Sequence, residues 1–243
     1  MNKTRYLLLI LMLFFGKIVF AQAPAWGGGA DQADYSFGFS FQYVNSYFKI
    51  DKKPNWRNPY YDPGVGHTIT DSASSISSPS SPGFAVGFLA RYNLTDFLEV
   101  RTNPSLVFAD RTLSYTYATS AQNVDKPVQA TSIEFPLALK LKSERIQDFR
   151  AYMIAGIKYT EAIGAKKNNP QTDPLAAIVR NKNGFGSYEV GLGCDIYFEY
   201  FKLSPEIKLS NSFGNLLIPE ANPYSDPINK LSLHTVTVSL IFE

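Results

Sequence analysis

The stretch Thr131–Ser143, T-S-I-E-F-P-L-A-L-K-L-K-S, limits the fold more than any other part of the chain. Ile133, Phe135, Leu137, Leu139 and Leu141 fall on one parity, and Ser132, Glu134, Ala138, Lys140 and Lys142 on the other. A period of two places successive side chains on opposite faces of a strand, whereas a helix would scatter both sets around its axis. One face is therefore apolar and the other charged. A sheet in water, with its apolar face on a core, satisfies this pattern as well as a sheet in lipid, with its apolar face outward. The remaining strands and their connections separate the two.

Seven further segments alternate in the same way. Tyr35, Phe37, Phe39, Phe41 and Tyr43 set a wholly aromatic face against small and polar residues. Phe84–Tyr92, Leu98–Phe108, Ala151–Thr160, Tyr188–Ile196, Phe201–Leu209 and Thr235–Phe242 follow the rule. The connections run long (Asp51–Pro82), short (Asn93–Asp96), moderate (Ala118–Pro127), short (Glu144–Phe149), long (Gly164–Gly184), very short (Glu199–Tyr200) and long (Phe213–Lys230). That rhythm, with charges opposite the apolar face, is the pattern of an outer-membrane barrel: long external loops, tight periplasmic turns and a polar interior. The predicted fold is all-β, an eight-stranded antiparallel transmembrane β-barrel over residues 22–243.

The 15 Tyr and 18 Phe of this 243-residue chain are many for a soluble domain. Rings near strand ends form the expected interfacial girdles: Tyr35, Tyr92, Phe97, Tyr197, Tyr200 and Phe201 on one side, Tyr47, Tyr115, Tyr117 and Tyr159 on the other. Pro104, Pro136 and Pro205 fall inside predicted strands, where proline cannot donate to a ladder, and the expectation is a β-bulge at each. Pro104 and Pro136 lie at similar depth on neighbouring strands and mark a weak seam.

Met1–Ala21 reads as a Sec signal peptide: Lys3 and Arg5, an apolar stretch from Tyr6 to Phe15, and small residues near Ala21. An uncleaved anchor is the alternative, disfavoured by the short apolar run and by Lys17. Removing Lys3, Arg5 and Lys17 changes the balance from 23 basic against 21 acidic residues to 20 against 21. The exported chain carries no basic excess, and nucleic acid is not an expected partner. Cys194 is the only cysteine, so no internal disulfide forms.

Little in the sequence points to catalysis. The two histidines, His67 and His234, are far apart, and no metal site or cofactor is expected. Ser232 shares a strand face with His234 and raises a lipid-hydrolase reading, but no G-x-S-x-G elbow accompanies it. Gly184-Phe185-Gly186 and Gly191-Leu192-Gly193 sit in a strand rather than before a helix, so they make room inside the barrel instead of cradling phosphate. The inward constellation is charged: Glu99, Glu134, Glu189, Asp195 and Glu206 with Arg91, Arg101, Lys140, Lys158, Lys202 and Lys208. An eight-stranded barrel has room for little more than its own side chains, so these groups are expected to pair into a plug. A conducting or substrate-binding lumen is the competing reading.

The run I-E-F-P-L-A-L-K-L-K-S-E-R from Ile133 to Arg145, followed by R-A-Y-M-I-A-G-I-K-Y from Arg150 to Tyr159, resembles the PorT family of Bacteroidota outer-membrane barrels. The resemblance implies a non-catalytic component of the type IX secretion and gliding-motility machinery. Its partners would be outer-membrane lipid and other secretion-machinery proteins, with no small-molecule substrate. The alternative is a small structural or porin-like barrel outside that machinery.

Overall fold

The computed structural model describes residues 33–163, 175 and 177–243. The expected leader, 1–21, and residues 164–174 and 176 of the Gly164–Gly184 connection lie outside these.

The alternating segments form a closed antiparallel barrel. Its staves are β1 (Tyr35–Lys52), β5 (Ser81–Asn93), a stave split into β6 (Leu98–Thr102) and β7 (Ser105–Tyr117), then β8 (Val124–Lys142), β9 (Phe149–Ile163), β10 (Gly184–Tyr197), β11 (Lys202–Ser212) and β12 (Ile228–Phe242). Each pairs with its sequence neighbour, and β1 pairs with both β5 and β12, which closes the ring of eight. Closure is what lets such a sheet stand in lipid, because every ladder group finds a partner without water. Three tight connections gather at one end. Leu98 O accepts from Leu94 N and Thr95 N at 2.9 and 3.0 Å, Ile146 and Phe149 exchange backbone bonds of 2.8 and 3.0 Å, and Phe198 N donates to Phe201 O at 2.9 Å. This is the periplasmic end in barrels of this kind.

The expected bulges are absent at all three prolines. Ala90 pairs with Thr102 and Gly87 with Ser105, so the register on β5 passes Pro104 unshifted, as it does on β8. Pro136 sits opposite Lys158, and Pro205 opposite Leu240, also without a shift. What Pro104 does is interrupt the stave between β6 and β7, while its carbonyl still accepts from Phe88 N at 3.0 Å. Thr102 Oγ1 donates to the Pro136 carbonyl at 2.6 Å across the same gap. Register slips occur elsewhere, between Phe108 and Thr112 in the β7–β8 pair and at Asp51/Lys52.

The outer wall is apolar. Phe39, Phe41, Leu137, Leu139, Met153, Ile157 and Leu192 are each 51–60% exposed in the isolated chain, whereas Glu99, Lys140, Asp195 and Lys202 on the opposite parity are completely buried. Rings pack along this wall, Phe39 on Phe242 at 5.2 Å and Phe84 on Phe108 at 5.0 Å between centroids. Among the girdle residues, Tyr35, Tyr92, Phe97, Tyr200 and Phe201 at one end and Tyr47 and Tyr159 at the other are exposed. Tyr197, Tyr115 and Tyr117 are not; they point inward and are buried. The inward parity of Arg101 and Ser105, carried along the same stave, leads to Tyr115 and Tyr117.

Several strands outrun their predicted lengths at the long-loop end. There the interior becomes apolar, with Phe48, Leu113, Tyr115, Leu231 and Leu233 joined by Leu216, Leu217 and Tyr224 from the β11–β12 connection. The Asp51–Pro82 segment, expected as plain loop, holds β2 (Tyr60–Asp62), β3 (His67–Thr70) and β4 (Ala73–Ser77). Its serine-rich part forms β4 on the edge of β7 because Ala73 and Ile76 can be buried in this cap. Asp71 fastens the start of that segment, accepting from Ser72 N at 2.7 Å and the Thr119 hydroxyl at 2.9 Å, which holds its carboxyl below the usual carboxylate range.

Proteinase K added to intact cells is expected to cut within Asp51–Pro82 or Gly164–Gly184 and to spare Asn93–Asp96 and Glu144–Phe149. Cuts confined to the short turns would reverse the orientation. The closed ladder also predicts that unboiled protein in detergent migrates differently from boiled protein.

Candidate functional site: the charged lumen

Inward parity brings all eleven charged residues singled out in the sequence into the lumen. Glu99 on β6 lies 3.8 Å from Arg91 Nη1, 4.0 Å from Lys140 Nζ and 3.7 Å from Lys142 Nζ. Lys140 donates to both oxygens of Asp195 at 2.9 and 2.8 Å, and the Ser204 hydroxyl donates to Asp195 Oδ1 at 2.6 Å. Arg101 pairs with Glu206, which is also 3.6 Å from Lys208; Lys208 in turn stands 3.6 Å from Glu189. Lys158 and Glu134 form a separate pair at 2.8 Å.

Four further residues outside the predicted set stand in this charged interior, three of them joined to the network. Tyr152 joins its two larger parts: its hydroxyl donates to Glu206 at 2.9 Å, and Lys140 Nζ stands 3.9 Å from its ring centroid. Glu243 pairs with Arg91 and lies 3.0 Å from Lys202 Nζ. Lys142 serves Glu99 and donates to Asn93 Oδ1 at 2.8 Å. Arg111, fully buried, donates from Nε to Ser46 Oγ at 3.1 Å. Parity carries all four: Lys142 follows Lys140, Arg111 follows Arg101, Glu243 follows Ser239 and Ile241, and Tyr152 opposes the outward Ala151.

Beside Pro104 the filling is neutral. Gln42 Nε2 donates to Ser105 Oγ at 2.8 Å and Ser40 Oγ at 3.0 Å, and Asn103 exchanges bonds with Ser40. Gly191 and Gly193 make room, as their spacing suggested. A Cβ at Gly193 would overlap the Tyr152 ring, and one at Gly191 would come within 2.7 Å of Lys208 Cγ. Gly184 and Gly186 face outward instead, against Tyr159 and Phe213, so they free no space in the lumen. Most of these charges are held in ion pairs; Arg111 has no carboxylate within ion-pair distance among the described residues. Among the described residues no group of three His, Cys, Asp or Glu side chains is placed to hold a metal.

On the outer wall His234 Nδ1 is 2.7 Å from Asn211 Oδ1, and its ring packs on Tyr47 with centroids 5.0 Å apart. The Ser232 hydroxyl points to the Lys49 carbonyl at 3.5 Å rather than to the imidazole.

Among solved structures the chain is similar to the outer membrane protein OprG of Pseudomonas aeruginosa, at 12% identity over 86% of this chain and 93% of that one, with a TM-score of 0.48. It is also similar to Neisserial surface protein A, at 9% identity over 85% and 97% with a TM-score of 0.43. For Ail, the attachment invasion locus protein of Yersinia pestis, the figures are 11%, 85%, 96% and 0.36. A search of curated proteins found no match. The model of the outer membrane protein beta-barrel domain matches residues 20–217, most of a chain whose closed sheet is apolar outside and charged within, and the protein belongs to that family of the outer membrane.

Proposed function

We propose that this barrel is a non-catalytic component of the type IX secretion machinery, needed to export cargo that carries a C-terminal sorting signal, and that it works through its surfaces rather than its bore. The observation that carries the reading is where the PorT-like residues fall. Ile133–Arg145 and Arg150–Tyr159 are one hairpin, β8 and β9 with the turn between them. Its outward side meets lipid through Phe135, Leu137, Leu139 and Leu141, and its inward side supplies Glu134, Lys140, Lys142 and Lys158 to the lumen. The turn is held by Arg145, whose guanidinium lies 3.9 Å from the Tyr197 ring centroid and 3.3 Å from Asp148. At its tip Ile146 is 72% exposed, and in this reading it is an apolar contact for a periplasmic neighbour.

Deletion of the gene is expected to leave cargo in the periplasm with its sorting signal uncleaved, while general outer-membrane permeability changes little. Ile146→Glu should reproduce the secretion block while leaving the heat-dependent gel shift intact, and co-purification should recover other machine components. Normal cargo release in a deletion strain without a paralogue would remove the assignment and leave a structural barrel.

A further inference from the structure

The cap at the long-loop end bears an open cleft of about 410 Å³, lined by none of the charged lumen residues and independent of the secretion reading. Its floor is the buried edge of the cap, Ala73, Tyr115 and Tyr117, and its walls carry Trp56, Tyr60 and Tyr61. The volume falls in the range of small-molecule sites, roughly 300–1,000 Å³. The loop that forms it is fixed by backbone bonds before any ligand arrives. Lys53 N donates to Pro227 O at 3.0 Å, Trp56 N to Lys53 O at 3.2 Å, Asn58 N to Asn55 O at 3.0 Å and Ala73 N to Arg57 O at 3.1 Å. Lys52 Nζ and the Arg57 guanidinium stand 4.2 and 4.9 Å from the Trp56 ring centroid and hold it in position, yet neither lines the cleft.

The lining selects the chemistry. No lysine or arginine lines the space, and its one carboxylate, Asp226, pairs with Lys53 at 3.0 Å, so the lining itself carries little net charge to select an ionic ligand. Prolines and aromatic rings give rigid apolar platforms. Among the described residues the side-chain amides of Asn55 and Asn58 and the Tyr61 hydroxyl make no hydrogen bond within the protein, so donors and acceptors stand free at the rim. Flat rings beside free amides and a hydroxyl match a molecule with apolar C–H faces and a hydroxylated edge. We infer that this cleft is a binding site for a neutral saccharide of one or two pyranose rings, taken from outside the cell.

Saturation-transfer NMR on the full barrel in lipid nanodiscs tests this, with cellobiose, maltose, lactose and diacetylchitobiose as neutral probes and digalacturonate as the acidic one. Transfer to the ring protons of at least one neutral disaccharide is expected, and none to digalacturonate. Tyr61→Ala removes an exposed aromatic anchor and should weaken that binding by at least about fivefold, the scale of a contact that matters in an interface. Asn58→Ala should weaken it as well. Both variants alter exposed loop positions, and an unchanged heat-dependent gel shift verifies their fold. A second arm adds lipopolysaccharide to the nanodiscs. If its own sugars are the natural occupant, the soluble disaccharide signal falls; if the natural ligand is a free glycan, the signal persists. No transfer to any neutral disaccharide, stronger transfer to digalacturonate, or binding that survives both substitutions would overturn the proposal.

Discussion

Glu206→Ala should lower the stability of the folded barrel by roughly 3–5 kcal/mol, the usual cost of stripping one partner from a buried ion pair. The carboxylate is fully enclosed and serves Arg101, the Tyr152 hydroxyl at 2.9 Å and Lys208 at 3.6 Å. Lys208 retains Glu189 at 3.6 Å, but Arg101 has no other carboxylate within ion-pair distance among the described residues, and the phenol loses its acceptor. The loss is one of uncompensated charge rather than of packing. Arg101→Met combined with Glu206→Met should therefore sit much nearer the wild type than Glu206→Ala alone, since well-packed apolar replacements of such pairs are often neutral. Urea unfolding in detergent, followed by the gel shift, reads both. A double variant as unstable as the single one would mean that the pair contributes through shape, not charge.

Purified protein in planar bilayers should show no steady conductance, because two unlike barriers stand in series. Within the membrane the bore is filled by paired charges, and toward the cell exterior it is covered by Phe48, Leu113, Tyr115, Leu231 and Leu233 with Leu216, Leu217 and Tyr224. Emptying the lower barrier with Glu134→Ala, Lys140→Ala, Lys158→Ala and Glu206→Ala together should still leave the bore closed above. Shortening the Phe213–Lys230 connection alone should leave it closed below. The two changes combined should give a leak that neither gives separately. Ohmic channels from the wild type would remove the plug and favour a porin-like role.

The wall was legible in the sequence because lipid outside and charge inside impose opposite chemistry on adjacent residues. Each of the eleven lumen charges could be assigned a side from parity alone. Distances were another matter: Asp195 and Lys140 are far apart in sequence, and only the register of β8, β9 and β10 sets them 2.8 Å apart. The prolines misled because a missing donor costs one ladder bond, and the carbonyl bonds around Pro104 and Pro136 keep the register without an inserted residue. The cap was hidden for a different reason. Above the membrane the inward face turns from charged to apolar, so Tyr115 and Tyr117 read as girdle rings when polarity is followed and as core when parity is followed. Serine-rich sequence in Asp51–Pro82 gave no periodic signal for β4, which exists because β7 offers it an edge.

The seam between β1 and β12 has a kinetic consequence. Its register runs from Phe39 with Phe242 to Lys52 with Ile228, so it joins the two most distant staves and is the slowest contact for a chain to find. Until it forms, two bare strand edges remain, and most staves carry at least one lumen charge with no enclosing wall. A lone Lys or Arg at the bilayer centre costs about 2.5–3.5 kcal/mol, and unpaired backbone groups add to that. Staves entering the bilayer one at a time would meet this penalty repeatedly. A sheet that curves and nearly joins before it enters the bilayer would avoid that penalty, with the zipping of β1 to β12 as its last step.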